Sequence, residues 1–211
     1  MQADFFDDDP HQPLFLQLAM TDGDVRYYPN WLTLTDAERY LQDCQKALTW
    51  SQDYIKIYGR DVKIPRLQSW IGDPEAQYTY SQLLMTPLPW QAPVTEIRHL
   101  CETTTGVKFN SVLANWYRDG QDSMGMHSDD EPELGPQPTI ASVTLGEPRK
   151  FIFKHKKTQE KVEVVLEHGS LLVMQGDTQQ FWQHGINKTK KPIGDRINLT
   201  FRWVYPLTTG K

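Results

Sequence analysis

The sequence predicts an α+β chain, with helices first and a closed or sandwiched sheet after them. Two observations carry this. Apolar residues recur at helical spacing in two stretches before Gly106, and from Phe109 onward the pattern changes to period two, with Gly and Pro between the runs. The strand candidates are 109–118, 139–145, 149–156, 161–167, 170–175, 178–184 and 195–204. A double-stranded β-helix, a jelly roll of the cupin-like kind, accommodates that number. A length of 211 residues is enough for one well-filled domain.

From the N-terminus, residues 1–25 form an acidic tail expected to be flexible, with Leu14-Phe15-Leu16 as the stretch able to dock on the body. Residues 26–108 hold the helices and a hairpin, 109–205 the strand-rich core, and 206–211 a short C-terminal tail. Thr35-Asp36-Ala37-Glu38 has a capping-box pattern. Behind it Ala37, Tyr40, Leu41, Cys44 and Leu48 repeat at helical spacing and predict a helix over about 35–49. Tyr54 to Pro65 shows two short β-like runs around Gly59 and predicts a hairpin. Arg66 to Tyr80 is aromatic and irregular, and taken by itself it supplies packing and surface. A second helix is expected over roughly 92–105, with Val94, Ile97, Leu100 and Cys101 inward and Gly106 as its stop.

The net charge of -5 is unevenly spread: residues 1–24 carry six of the 27 acids and no Lys or Arg, leaving 21 acids against 22 bases in the body. Charge therefore neither supports nor excludes a nucleic-acid partner. The apolar runs are too short to span a membrane. An acidic N-terminus and two cysteines in helix-like segments, with no disulfide framework, place the protein in the cytoplasm.

The chemistry concentrates in two places. Asn115 to Asp130 contains His127 and Asp129, and in an extended segment residues i and i+2 point the same way. Near the C-terminus comes His184, then Arg196-Ile197-Asn198-Leu199-Thr200-Phe201-Arg202. Two His and one carboxylate with open coordination positions form the ligand set of non-haem Fe(II) oxygenases. On the last strand Arg196, Asn198, Thr200 and Arg202 share one face, which in isolation reads as the wet face of an edge strand. The same face suits a dicarboxylate, because guanidinium groups bind carboxylates bidentately. Asn115 and Tyr117 could hydrogen-bond the same molecule. A 2-oxo dicarboxylic acid satisfies both ends, its keto-acid end on iron and its far carboxylate on an arginine. Of the other histidines, His11 lies in the tail, His99 in a helix and His168 in a turn, while His155 sits in a basic cluster expected to face solvent or phosphate.

The motifs I-P-R-L-Q, Y-T-Y, F-N-S-V-L-A-N-W-Y-R-D-G, H-S-D-D-E, I-A-S-V-T-L-G, H-G-S-L-L-V-M and R-I-N-L-T-F-R, from about Ile55 to Val204, give the chain a resemblance to a known family. It resembles the AlkB family of Fe(II)/2-oxoglutarate-dependent dioxygenases that repair alkylated nucleic acids, and looks closest to the branch acting on double-stranded DNA. The resemblance implies that His127, Asp129 and His184 bind Fe(II). It implies that Asn115, Tyr117, Arg196, Thr200 and Arg202 hold 2-oxoglutarate, with Arg196 on the far carboxylate and Asn198 beside it. Asp130 and Glu131 would meet the damaged base, Tyr78 and Tyr80 would form a nucleotide-recognition lid, and Ile57-Tyr58-Gly59 a finger hairpin that fills the gap left by a flipped base. Ser128 stands where close relatives have a basic residue. The implied activity is oxidative demethylation of 1-methyladenine and 3-methylcytosine in alkylated DNA or RNA, using O2 and releasing succinate and formaldehyde, by a monomer with no membrane partner. Rival readings are a dioxygenase of the same fold acting on RNA, protein or a small molecule, and a non-catalytic nucleic-acid-binding module. A zinc hydrolase could use the same ligands but has no need of the Arg196–Arg202 strand.

Overall fold

Period-two burial decides how this chain folds, because strands with alternating side chains need a partner layer on each apolar face. The computed structural model describes residues 14–57, 59–76, 78–80 and 83–206; for 55–57, 78–80 and 83–85 the description is of the backbone. In chain order the elements are β1 (Leu16–Gln17), β2 (Asp24–Tyr28), α1 (Leu34–Ala47), β3 (Tyr54–Ile57), β4 (Arg60–Lys63), β5 (Leu67–Gly72), β6 (Tyr78–Tyr80), β7 (Leu83–Met85) and α2 (Ala92–Thr105). They continue with β8 (Ser111–Tyr117), β9 (Met124–His127), β10 (Ile140–Gly146), β11 (Arg149–His155), β12 (Lys161–Leu166), β13 (Ser170–Gln175), the single turn α3 (Thr178–Phe181), β14 (Trp182–Ile186) and β15 (Arg196–Arg202).

Among the described residues the strands form a larger sheet in the order β1-β2-β13-β10-β15-β8-β5 and a smaller one in the order β12-β11-β14-β9. All the pairings in both sheets are antiparallel. This is the jelly-roll architecture expected from the strand count. The larger sheet is covered on both sides. On one face Ala141, Val143, Leu145, Ile197, Leu199 and Phe201 pack with Ala37, Tyr40, Leu41 and Cys44 of α1 and Val94, Ile97 and Cys101 of α2. On the other, Tyr117, Leu172 and Met174 meet Phe151, Phe153, Trp182 and Ile186 of the smaller sheet. Full burial of each large apolar side chain stabilises the fold by roughly 1.5–3 kcal/mol, which is enough to fix the register of both layers.

Both helices match their apolar repeats, with corrections at the ends. The cap of α1 is Thr33, whose hydroxyl accepts the Asp36 N–H at 3.1 Å, and not Thr35. Thr33 also donates its own proton to the Asp36 carboxylate at 2.7 Å, so the cap lies two residues earlier than the pattern at Thr35 suggested. Thr33→Ala is expected to cost about 1 kcal/mol and to lower Tm by roughly 2–4 °C, as read in a thermal melt. In α2, Leu100 is not inward but 40% exposed, while Gly106 caps the helix with φ 73°.

Four further differences concern the sheets. The tail is not wholly flexible: β1 and β2 lie within or across its expected end, β2 pairs with β13, and Phe15 packs on Tyr28 at 5.3 Å. The sheet is not confined to 109–205, because β5, inside the stretch that looked irregular, pairs with β8. Residues 178–184 are not one strand: α3 precedes β14. Finally β15 is no edge strand, since it lies between β10 and β8 and every one of its residues is buried.

Candidate metal centre and dicarboxylate clamp

The smaller sheet brings the histidines together. His184 on β14 pairs directly with His127 on the edge strand β9, so the two rings lie 4.5 Å apart. Asp129 follows two residues after His127, and its Oδ1 is 3.7 Å from His127 Nε2. One ligand atom from each of His127, Asp129 and His184 lies within 4.8 Å of the others, the only such group of three among the described residues that could hold a metal ion.

The surroundings of each member suit a metal ligand. His127 Nδ1 is 2.9 Å from the Gly125 carbonyl, which can only accept, so Nδ1 carries a proton and Nε2 is the nitrogen turned to a metal. Burial, then the neighbouring His127, push His184 down to about 3, so it is neutral near pH 7. Burial by itself would raise the Asp129 carboxyl, but Arg202 with His184 and His127 outweighs it and holds Asp129 at about 2. Arg202 grips both Asp129 oxygens, with Nη2 at 2.9 Å from each and Nε at 3.2 Å. Phe151 stacks on His184 at 5.3 Å, and Phe153 and Trp182 are fully buried behind it. The donor set of two imidazoles and one carboxylate fits Fe(II), with the remaining coordination positions left to ligand and solvent.

The larger sheet supplies cations on β15. Arg196 is 0% exposed, and its Nη2 donates to Thr144 Oγ1 at 2.8 Å and Asn198 Oδ1 at 2.7 Å. Its Nε and Nη1 have no hydrogen-bond partner. Burial lowers its pKa to about 10, still well above neutrality, so a full charge sits there with two unused donors. Such a group is costly to leave unpaired, which makes it a site shaped for an anion. Asn198 is occupied on both ends, accepting from Arg196 and Ser142 and donating to Thr200 at 2.7 Å. It therefore orients Arg196 and Thr200 within the clamp. Tyr117 pairs with Arg196 across the strands and lies 5.2 Å from its guanidinium, and Asn115 pairs with Asn198. The residues named from sequence for 2-oxoglutarate thus lie on the paired strands β8 and β15, and Arg202 of β15 joins them to the His–Asp–His group through Asp129.

Of the substrate residues, Asp130 lies beside Asp129 with its side chain 57% exposed, and Glu131 follows it half-buried. Tyr78 and Tyr80 fall on β6, which pairs with β7, and Ile57 ends β3. Tyr58 lies outside the described residues. Gly59 takes φ 75°, a left-handed conformation suited to a tight turn. His155 is a correction. It is 1% exposed, its Nδ1 accepts the Lys157 and Thr158 N–H groups at 3.2 and 3.0 Å, and it faces neither solvent nor phosphate. Period two on β11 turns it inward with Phe151 and Phe153 while Lys154 points away.

Three residues of the site went unassigned in the sequence. Arg66 Nε donates to Asn115 Oδ1 at 2.8 Å; it stands inside the I-P-R-L-Q motif, which was its available signal. Arg149 ties the carbonyls of Asp119, Asp122 and Asn187 together beside Tyr117. Gln179 Oε1 accepts the Asp129 N–H at 2.9 Å, and a glutamine in a run that reads as a strand gives no hint of this. Gln179→Ala is expected to weaken Fe(II) binding about 10–100-fold, measured by anaerobic metal titration, because outer partners fix the orientation of a metal ligand.

Comparison with known proteins agrees with this geometry. The family model for the 2OG-Fe(II) oxygenase superfamily matches residues 24–202. The "DNA oxidative demethylase ALKBH2" of Mus musculus is 42% identical over 161 residues, covering 72% of this chain and 67% of that protein. The chain belongs to the AlkB branch of the 2OG-Fe(II) oxygenase superfamily. The "Alpha-ketoglutarate-dependent dioxygenase alkB homolog 3" of Mus musculus is 40% identical over 192 residues, 86% of this chain. The AlkB-branch chain spans 66% of that relative's length and 64% of its Rattus norvegicus counterpart. A solved structure of OsALKBH1 shares the fold with a TM-score of 0.67 at 17% identity, covering 90% of this chain and 100% of the other. Identity alone does not separate ALKBH2 from alkB homolog 3 as relatives of this AlkB-branch chain. Fe(II), 2-oxoglutarate and O2 are the reactants the superfamily implies. His127, Asp129 and His184 fit the first, and the two unpartnered nitrogens of Arg196 fit the far carboxylate of the second.

Proposed function

We propose that the protein oxidatively demethylates N-alkylated bases in DNA, 1-methyladenine and 3-methylcytosine above all, leaving formaldehyde and the repaired base. The observation that carries this reading is a His–Asp–His group tied through Arg202 to the strand that also holds Arg196, a buried arginine with two unused donors, with the exposed carboxylate of Asp130 next in sequence to Asp129. The 42% identical relative, a DNA oxidative demethylase, supports both the demethylation and DNA as substrate, and the 40% identical one, an alpha-ketoglutarate-dependent dioxygenase, supports the cosubstrate.

With Fe(II) bound, 2-oxoglutarate and O2 supply an oxidant able to hydroxylate a methyl C–H bond, with succinate and CO2 as co-products. The residues of the chain arrange that chemistry. His127 presents Nε2 because Gly125 holds its Nδ1 proton, and Asp129 stays ionised because Arg202 pairs with it. Arg196 takes the far carboxylate, backed by Asn198 and Thr144. Phe151, Phe153 and Trp182 keep water from the His184 side. Asp130 accepts a cationic methylated base, whose charge a neutral base lacks. A lesion inside a duplex must be flipped to arrive there, which costs a few kcal/mol. The β3–β4 hairpin, with Arg60 to Lys63 exposed and Gly59 at its turn, is the element we assign to filling the gap.

The test is a panel of single-stranded and duplex oligonucleotides, each with one methylated base, read by formaldehyde release. Release from 1-methyladenine and 3-methylcytosine DNA is expected, and Tyr58→Ala should slow the duplex reaction far more than the single-stranded one. Turnover confined to RNA, or to no oligonucleotide, would refute the DNA reading. We also propose a cytoplasmic monomer. Support for this comes from a site complete within one chain and from Cys44 and Cys101 as buried free thiols. Among the described residues no helix is long and apolar enough to cross a membrane.

A further inference from the structure

The exposed carboxylate of Asp130 already has a cation. Lys156, the residue after β11, extends its ammonium to Asp130 Oδ2 at 3.0 Å and to the Gln179 carbonyl at 2.8 Å. Its backbone N–H is anchored on the Phe181 carbonyl at 2.7 Å, so the stem of this lysine is fixed against α3. The same α3 residue, Gln179, holds the Asp129 N–H through its side chain. Lys156 therefore reaches the segment that carries both the metal ligand and the base-contacting carboxylate. Its side chain is 29% exposed and that of Asp130 is 57% exposed, so water reaches the pair and exchanging one cation for another costs little. Asp130 also borders a cavity of about 400 Å³ with Pro136, Pro138 and Gln180, which leaves space on a second side of the carboxylate.

We propose that Lys156 is a specificity-determining residue, which by pairing with Asp130 positions that carboxylate and sets how strongly a cationic methylated base is preferred over a neutral one. This rests on the reading of Asp130 as the base-contacting group given above. A 3-methylcytosine cation and the Lys156 ammonium compete for the same acceptor. A neutral lesion such as 1-methylguanine brings no charge to that competition. Lys156 thus subtracts from the advantage of the cation and leaves the neutral base nearly untouched, which widens the range of lesions the site accepts. The second acceptor matters too: the Gln179 carbonyl keeps the ammonium nearby when Asp130 turns to a substrate.

Binding of two fluorescent methylated single strands, one with 3-methylcytosine and one with 1-methylguanine, measured by anisotropy on the full chain, tests this. Lys156→Met is expected to raise the ratio of the two affinities in favour of the cation about five- to tenfold at low salt, as pairwise charge interactions at a partly exposed site imply. The gain should shrink as salt is raised. Lys156→Arg should keep the wild-type ratio, and a thermal melt shows whether each variant is folded. An unchanged ratio in Lys156→Met, with both strands weakened together, would overturn the proposal; a contact from Lys156 to phosphate would give that same result. Parallel formaldehyde assays separate this from the demethylase reading. Its failure appears as absent formaldehyde in wild type, whereas the affinity ratio still reports on Lys156.

Discussion

Arg196→Leu is expected to raise the 2-oxoglutarate requirement by two to three orders of magnitude while leaving the apoprotein as stable as wild type, or more so. The first half follows from removing one partner of a buried charge pair, which typically costs about 3–5 kcal/mol. The second half follows from the free state, in which Arg196 is fully buried with Nε and Nη1 unsatisfied. Each such group costs on the order of 1–3 kcal/mol, and a leucine removes that cost along with the charge. The two measurements are a 2-oxoglutarate titration of succinate formation and a melt with and without 2-oxoglutarate. At a hundred times its Kd a ligand stabilises the folded state by about 2.7 kcal/mol, a rise of several degrees for a chain of this size. Wild type with Fe(II) should show this rise and Arg196→Leu should not. Equal protection of both proteins would move the far carboxylate to another residue, with Arg202 the first candidate.

Acid is expected to destabilise the apoprotein well before it reaches the carboxylates. His184 is held at about 3 by burial and by His127, against about 6.5 in the unfolded chain. Between those values the unfolded chain binds a proton that the folded chain refuses, so stability falls as pH drops through that window. At pH 5 the loss is on the order of 2 kcal/mol. Asp129 acts in the other window. Its folded pKa of about 2 lies below the unfolded value, so the stability it contributes is fully present above about pH 4 and disappears as pH falls through 2. Melting curves of metal-free protein from pH 7.5 to 4.5 should show the first effect, and His184→Ala should flatten it. The same variant should lose Fe(II)-dependent turnover altogether while remaining folded. Full activity in His184→Ala would remove this residue from the metal site.

The sequence revealed the layers through spacing, and the candidate metal group through its order in the chain and the family resemblance. The apolar repeats of α1 and α2 and the alternation after Phe109 put the helices and most strands within a few residues of their observed bounds. His127, Asp129 and the Arg196–Arg202 strand stand out because charged and imidazole groups at period two inside apolar runs need a reason. What stayed hidden depended on pairing. Read alone, β15 looks like an edge strand; its polar side chains are buried because Arg196, Asn198 and Thr200 hydrogen-bond to one another and Arg202 binds Asp129. His155 looked exposed because lysines flank it, yet it is the inward member of an alternating strand. Gln179 and Lys156 reach the site from α3 and the end of β11, and no local pattern in the sequence announces a contact between residues more than 20 positions apart.

The central claim is that one site binds Fe(II) and 2-oxoglutarate and spends them on a methylated base. The most direct measurement is the yield of formaldehyde and of succinate from the same reaction, with purified protein, Fe(II), 2-oxoglutarate, O2 and a DNA strand containing 3-methylcytosine. The predicted result is one formaldehyde per succinate, with both products absent in Asp129→Ala. Succinate formed at an unchanged rate with no formaldehyde on any methylated strand, or formaldehyde formed without 2-oxoglutarate, would contradict it.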